Sequence, residues 1–74
     1  MKQSTNNKLL RIKSVIELTG LSRSYIYQLC KLGKFPKPIQ LVEGGSSVAW
    51  LESEVLDFIQ DRVHERDHKL SSAK

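Results

Sequence analysis

Residues 20–41 read GLSRSYIYQLCKLGKFPKPIQL, and this stretch decides the fold that the sequence predicts. Gly20 suits the end of a helix, because glycine readily takes the left-handed conformation found at helix C-termini. Ser22 is a good N-cap for a second helix, which we expect to run from Arg23 to Leu32. A Lys-Phe-Pro-Lys-Pro run then leads into an apolar segment typical of a strand. This is the order of a helix-turn-helix followed by a β wing.

The segment before Gly20 predicts a first helix, from about Val15 to Thr19. Ser14 is followed three residues later by Glu17, the spacing of a capping box, in which each side chain satisfies a backbone N–H of the first turn. The preceding apolar residues are expected to form a short extended lead-in that packs on the core: Leu9, Leu10 and Ile12.

The segment after the proline run predicts a two-stranded wing and a third helix. Residues 39–42 alternate as a half-buried strand, residues 43–46 form a glycine turn, and residues 47–50 return with Val48 and Trp50 inward. A third helix is expected over residues 53–66, with an apolar stripe of helical period: Val55, Leu56, Phe58, Ile59 and Val63.

The predicted fold class is therefore α+β, mainly α, in the form of a small winged helix-turn-helix. Its two short helices, two-stranded wing and closing third helix occupy residues 9–66. Residues 1–8 are polar and are expected to be a disordered arm, and residues 67–74 a flexible tail. The inward face of the second helix follows the i, i+3, i+4, i+7 pattern: Ile26, Leu29, Cys30 and Gly33.

The charge distribution favours a polyanionic partner. The chain has 74 residues and a formal net charge of +4. Residues 1–42 carry eight basic side chains against one acidic, a net of +7, whereas residues 43–74 carry four against seven, a net of −3. A domain that lays its front half on phosphates would need such a dipole. A chain of this length has no room for a substrate cleft between two layers, so we expect no enzyme activity.

Other signals limit the cellular setting. Cys30 is the single cysteine, so an intramolecular disulfide is not possible. The sequence shows no signal peptide and no apolar run of the length that spans a membrane. We expect a cytoplasmic, nucleoid-associated protein with no cofactor and no small-molecule ligand.

The outer face of the second helix carries the predicted DNA contacts. Arg23 can fork onto guanine and Gln28 onto adenine when a helix lies in the major groove. Hydroxyls and free amides at the helix start can bind phosphate, and Lys31 and Lys34 are expected to hold the backbone. Tyr25 borders the inward stripe and is therefore partly a core candidate. The alternative to DNA contact, for the face as a whole, is an ordinary helix surface exposed to solvent. The predicted set is Ser22, Arg23, Ser24, Tyr25, Tyr27, Gln28, Lys31, Lys34, Lys37, Ser46 and Ser47.

The wing is predicted to approach the DNA backbone without charge. Its tip, residues 43–47, carries no lysine or arginine, so contact would come from backbone amides and from Ser46 or Ser47. The alternative is a hairpin that only completes the core.

Three further features have simpler interpretations. Residues 64–68 read HERDH, the H-E-x-x-H pattern of zinc proteases, but no third histidine and no cleft are present, so we expect no metal site. Trp50 is expected to pin the wing to the third helix, and Cys30 to be a small core residue. The acidic side chains of the third helix are expected to form its solvated back, with a protein-binding surface as the alternative: Glu52, Glu54, Asp57, Asp61 and Glu65.

The sequence resembles the AlpA family of small phage and genomic-island regulators. The resemblance runs from about Leu10 to about Arg62 and is carried by the GLSRSYIY turn and helix, the GKFPKPIQL bridge, the Gly-Gly turn, the Val48-x-Trp50 strand and the Ser-Glu-Val start of the third helix. It implies a MerR-type winged helix close to phage excisionases. It also implies DNA-reading positions at Ser22, Arg23, Ser24, Tyr27 and Lys31.

The family often has arginines in the wing, whereas this chain has Ser46 and Ala49 at those places. This departure weakens the phosphate grip expected of the wing and shifts affinity onto the second helix.

Three functions remain open at this point. The first is a sequence-specific regulator of transcription in a prophage or genomic island, acting on integrase expression. The second is an excisionase, or recombination directionality factor, that bends attachment-site DNA. The third is a protein-interaction module that uses the acidic third helix. The expected partners are double-stranded DNA and, beyond it, integrase or RNA polymerase. The expected state is a monomer, or weak self-association on tandem sites.

Overall fold

The computed structural model describes residues 8–73, with side chains as far as His68. Of the predicted arm at residues 1–8, all but Lys8 lies outside the described residues. The elements in chain order are β1 (Leu9–Leu10), α1 (Ile12–Thr19), α2 (Arg23–Lys31), β2 (Ile39–Gln40), β3 (Val48–Leu51) and α3 (Glu52–Ala73). The predicted fold class, a mainly helical α+β winged helix, is confirmed.

The wing is part of a three-stranded antiparallel sheet, with the order β1-β3-β2. Leu9 pairs with Leu51 and Leu10 with Trp50 on one side of β3, while Ile39 pairs with Ala49 on the other. The predicted lead-in is therefore a strand in its own right. The Glu52 backbone N–H continues the ladder by donating to the Lys8 carbonyl oxygen at 2.9 Å, which ties the start of α3 to the start of the described chain.

The core lies where α1, α2 and α3 meet β3. Its largest fully buried side chains are Trp50, Ile26, Val15 and Val55. Phe35 is buried too, and its ring meets that of Phe58 edge-on with the centroids 4.7 Å apart. The predicted inward position of Trp50 is thus confirmed.

The strands differ from prediction in what they bury. Ala49 is fully buried, although only Val48 and Trp50 were predicted to point inward. Ile39 and Gln40 are exposed, and β2 ends after these two residues instead of running to Val42. The cause is packing: β2 is one of the two edge strands and its main contacts are with β3, whereas the other edge strand, β1, also packs against α1.

The predicted capping box at the start of α1 is wrong. The helix begins at Ile12, and the Val15 N–H donates to the Arg11 carbonyl at 3.1 Å. Ser14 therefore lies inside the helix, and the N-cap residue, Arg11, makes no side-chain capping bond. The apolar spacing of Ile12, Val15 and Ile16 explains the earlier start, because it adds one turn of core-facing side chains.

The junction between α1 and α2 follows the prediction closely. Gly20 has φ 76°, the left-handed conformation, and its N–H donates to Ile16 at 2.8 Å. The Ser22 hydroxyl oxygen accepts the Tyr25 N–H at 3.2 Å, which makes Ser22 the N-cap of α2. Thr19 supports the corner by accepting the Leu21 N–H at 3.2 Å. The turn chemistry of the sequence therefore sets the angle at which α2 leaves the body.

Helix α3 is longer than predicted, since it has 22 residues and continues to Ala73. Its first turn buries Val55, with Phe58 and Ile59 partly buried behind it. Leu56 and Val63, which were predicted to belong to the buried stripe, are 41% and 36% exposed. Residues 60–68 are all exposed, so the second half of the helix extends past the core.

The two serines offer a direct test of the capping assignment. Ser22→Ala should lower the free energy of unfolding by about 1 kcal/mol, because it removes the acceptor of the Tyr25 N–H. Ser14→Ala should change it by less than about 0.5 kcal/mol, because Ser14 caps nothing. Urea unfolding followed by circular dichroism measures both, and equal losses would contradict the assignment.

Candidate nucleic-acid interface

The outer face of α2 presents polar side chains that extend into solvent. Arg23, Ser24, Gln28 and Lys31 are all exposed. Within residues 8–68, the side chains of Arg23, Gln28 and Lys31 make no hydrogen bond and no ion pair. Their donors and charges are therefore available to an external partner, since no internal contact has to be broken first.

Some hydrogen-bonding groups of Ser22 and of the start of α2 are already used within the protein, and others remain available. The Ser22 oxygen already accepts the Tyr25 N–H, so what it can offer a phosphate is its hydroxyl hydrogen. The first backbone amides of α2, beginning with Arg23, have no partner inside the helix and point out of its N-terminus. The geometry suits a phosphate oxygen in front of this helix end.

The two tyrosines lie on opposite flanks of α2. They are two residues apart, which is about 200° around a helix. The Tyr27 ring packs against Trp50 of β3, with the centroids 5.8 Å apart and the planes at 60°. Tyr25 instead lines a groove on the side of α1 and α3. Both remain more than a third exposed.

The loop between α2 and β2 is fixed by one carbonyl. The Pro36 oxygen accepts the Trp50 indole N–H at 2.9 Å and the Cys30 thiol at 3.4 Å. It thereby joins the wing and the exposed helix at a single point. The hydrogen bond from Trp50 fixes the backbone immediately before Lys37.

Lys34 and Lys37 stand in a different electrostatic setting from Lys31. Both line a shallow depression whose far wall is α3, and that wall carries the carboxylates of Glu54, Asp57 and Asp61. Neither lysine forms an ion pair within the described side chains. Their positive charge is nevertheless partly offset by this acidic wall, which the sequence pattern did not reveal.

The wing tip, residues 41–47, is a closed turn. The Leu41 N–H donates to Ser47 at 2.8 Å, and the Gln40 side-chain amide donates to the Gly45 carbonyl at 2.7 Å. Ser46 is exposed and Ser47 is half-buried. The predicted contact residues of the wing are thus accessible, Ser46 more than Ser47.

Sequence reasoning missed the apolar side of this tip. Leu41 and Val42 are both exposed, Val42 by 60%. They were expected to continue a half-buried strand. One sequence feature could have indicated this exposure. Leu41 and Val42 directly precede the Glu-Gly-Gly turn, and residues next to a turn often lie outside the paired strand.

Cys30 and the histidine pair are placed as expected. Burial raises the pKa of the Cys30 thiol, and the nearby Trp50 N–H and Lys37 charge offset part of that rise, so the thiol is held neutral. His64 and His68 are exposed on the outer half of α3. Among the described residues, no three or more His, Cys, Asp or Glu side chains converge on a point where a metal ion could bind.

Helices capable of crossing a lipid bilayer are absent from residues 8–73, where none combines sufficient length with sufficient apolar character.

Two comparisons bear on what this surface does. The sequence model of the family described as prophage CP4-57 regulatory protein (AlpA) matches residues 8–63, which span the sheet, both short helices and the packed half of α3. A protein of Enterobacteria phage P4, named uncharacterized protein ORF88, is 46% identical over 59 residues. That match covers 80% of this chain and 65% of the phage protein, so the chain spans just under two thirds of its relative's length.

Proposed function

This chain belongs to the AlpA family of phage regulatory proteins, and from that premise we propose that it binds double-stranded DNA sequence-specifically and regulates integrase expression in a prophage or genomic island. The observation that carries the proposal is the set of exposed side chains along α2 that make no hydrogen bond or ion pair with the side chains described. Arg23, which can pair with the acceptors of guanine, and Gln28, which can pair with adenine, are both exposed on α2, together with Lys31.

The proposed binding mode places α2 in the major groove. Arg23 and Gln28 then read base edges, while Lys31 and the amides at the start of α2 hold phosphates on either side. The Tyr27 ring extends from α2 and packs against Trp50 of the wing. In the proposed binding mode its hydroxyl contacts a phosphate. The remaining proposed contacts come from the start of α2, from the loop after it and from the wing: Ser22, Ser24, Tyr25, Lys34, Lys37, Ser46 and Ser47.

The length of α2 limits how much one copy can read. Nine residues make a helix of about 14 Å, which spans about four base pairs. Useful specificity then requires several sites close together, or a partner such as integrase or RNA polymerase. This favours a second candidate, a directionality factor that bends attachment-site DNA from a cluster of sites.

A footprint on the chain's own locus tests both functions. Protection at the integrase promoter supports the regulator, whereas protection of clustered, phased sites inside the attachment region supports the directionality factor. Absence of protection everywhere at low salt and micromolar protein would contradict both. It would favour a protein-binding role for the acidic face of α3.

Lys31 should contribute affinity without sequence preference. Lys31→Ala is expected to weaken binding to all duplexes alike and to reduce the slope of log K against log salt by about one unit, because one phosphate contact is lost. Titration of specific and scrambled duplexes at several salt concentrations measures the slope. An unchanged slope would place Lys31 away from phosphate.

The wing can be tested by restoring charge. Ser46 is exposed at the tip, so Ser46→Arg should raise the affinity for any duplex several-fold at low salt if the tip lies near the backbone. The matched control is Gln60→Arg, which adds the same charge on the exposed part of α3. Equal affinities for the wild type and Ser46→Arg would show that the tip is not near phosphate.

A further inference from the structure

We propose that copies of this chain bind one another head to tail along DNA. In this contact the apolar edge of one copy's wing tip, formed by Leu41, Val42 and Glu43, is seated in the groove between α2 and α3 of the next copy. The arrangement along the duplex depends on the DNA binding proposed above. The contact itself is a property of two surfaces that the chain already presents.

The first surface is the apolar wing tip. Val42 is 60% exposed and Leu41 lies beside it, also exposed, with the carboxylate of Glu43 next in the chain. This edge of the tip offers phosphate no cation and no hydroxyl, since it carries an apolar pair and an anion, whereas Ser46 and Ser47 lie further along the turn. Such a tip is suited to an apolar receptor with positive charge at its edge.

The conformation of the tip is fixed by its own turn before any partner binds. The Gly45 N–H donates to the Val42 carbonyl at 2.8 Å, and Gly44 holds the turn at φ 77°. A Cβ at position 45 would stand only 3.2 Å from the Val42 carbonyl oxygen and 3.3 Å from its Cβ, so glycine lets the turn close on Val42. Little ordering entropy would be lost when this tip binds.

The second surface is the groove that Tyr25 flanks. It has a volume of about 880 Å³ and runs between the end of α1, α2 and the middle of α3. Its lining exposes far more apolar than polar surface, although the protein leaves it open to solvent. The apolar lining consists of Leu18, Leu21, Leu29, Phe58, Ile59 and Val63.

The charges at the groove complement Glu43. Three basic side chains line it, Lys34, Arg62 and Arg66, against one carboxylate, Asp61. Arg62 and Arg66 are already paired, at 2.9 Å, with carboxylates of their own helix. Lys34 has no ion pair within the described side chains, so its ammonium can pair with the incoming glutamate in place of a phosphate, even though the neighbouring carboxylates of α3 offset part of its charge.

The two surfaces lie on opposite flanks of α2. The groove lies on the Tyr25 flank of α2, and the wing lies on the Tyr27 flank, where Tyr27 packs on Trp50. With α2 across the duplex, one flank of each copy faces the neighbour's opposite flank. The contact is therefore heterologous and can repeat from copy to copy.

The same argument explains why DNA is needed. A tip of three residues buries far less than the roughly 1,000 Å² that a stable interface requires, so free chains should remain apart. Neighbouring sites on one duplex raise the effective concentration of tip and groove into the range where a weak contact is filled. Each added copy also contributes one further α2 to the reading surface.

The test uses one substitution on each surface. Val42→Glu disables the tip and Val63→Glu disables the groove, and both positions are exposed, so the fold should be retained. Leu56→Glu is the matched control, because Leu56 is similarly exposed on the same helix but does not line the groove. Each protein is titrated against a mixed-sequence duplex several sites long and against one that holds a single copy.

The expected result is specific to a head-to-tail contact. Each single variant should fill the long duplex without cooperativity, at a midpoint roughly tenfold above the wild type, with single-copy binding unchanged. An equimolar mixture of the two variants should recover one contact per pair, because each variant keeps the surface that the other has lost. Leu56→Glu should behave as the wild type.

Several outcomes would overturn the proposal. Loss of single-copy binding in Val42→Glu would mean that the Val42 edge of the tip itself lies against DNA. The absence of recovery in the mixture would mean that like surfaces pair. Unchanged cooperativity with lost binding of integrase or polymerase would assign the groove to that partner.

A DNA-free arm separates this proposal from the proposed function. Under a mild thiol oxidant such as copper phenanthroline, which takes up the two electrons, a mixture of Val42→Cys and Val63→Cys proteins at high concentration should form the mixed disulfide between the two variants. Val42→Cys with Leu56→Cys should not. Cross-linking without any DNA binding would contradict the proposed function and keep the contact. Failure to cross-link, with DNA binding intact, would contradict the contact alone.

Discussion

Trp50→Ala is expected to lower the free energy of unfolding by about 3–5 kcal/mol. Trp50 is fully buried at the centre of the sheet, and its indole N–H donates to the Pro36 carbonyl at 2.9 Å. Domains have a net stability of about 5–15 kcal/mol, and a short chain lies near the lower end, so much of the protein should be unfolded at 37 °C. Urea unfolding followed by far-UV circular dichroism measures the loss, since the substitution removes the single tryptophan and its fluorescence.

Trp50→Phe separates packing from hydrogen bonding. Phenylalanine keeps an aromatic ring in the core but cannot donate to Pro36, so a smaller loss of about 1–2 kcal/mol is expected. If both variants lost the same stability, the hydrogen bond rather than the ring would be holding the wing in place. If neither lost any, the central position of Trp50 in the core would be wrong.

The second large effect is expected at the reading face. Arg23→Ala and Gln28→Ala should each cost about 1–3 kcal/mol of binding to the specific site and narrow the difference between specific and scrambled duplexes. Neither side chain has an internal partner in the described chain, so stability should not change. Competition titrations of the two duplexes at fixed salt measure affinity and specificity together.

Lys13→Ala is the control for these two variants. Lys13 is exposed on α1, away from the α2 face, and its removal takes away one positive charge without touching that face. It should lower affinity slightly and leave specificity intact. Negligible, equal effects from Arg23→Ala, Gln28→Ala and Lys31→Ala would remove α2 from the interface.

Local chemistry explains what could be predicted of the fold. Gly20 and Ser22 act on backbone groups within four residues of themselves, so their roles could be recognised from the sequence alone. The inward residues of α2 could be recognised for the same reason, since Ile26 and Cys30 are one helical turn apart and both are buried.

Non-local contacts explain what could not. The capping box at Ser14 failed because the start of α1 depends on where β1 ends, and β1 exists only through its pairing with β3. The exposure of Val42 depends on β2 being an edge strand, and a strand order cannot be derived from alternation alone. Leu56 and Val63 have the period of the buried stripe but lie beyond the edge of the core.

The candidate site shows the same division. The exposed face of α2 follows from helical period, and its residues stand where that period places them. The acidic wall beside Lys34 and Lys37 comes from α3, about twenty residues further along the chain. The groove likewise combines side chains from three helices, so it could not be predicted from any single segment of the sequence.

The pairing of Leu9 with Leu51 has a consequence for biosynthesis. A chain leaving the ribosome exposes its first strand early, but that strand has no neighbour until β3 has also emerged. The helical corner at Gly20 can form in the meantime, because all its bonds are short-range. The sheet, and with it the seat of Trp50, must wait until nearly the whole domain has been translated. Translation that stopped before residue 48 would release a fragment without β3 and its indole anchor, and therefore without a completed core.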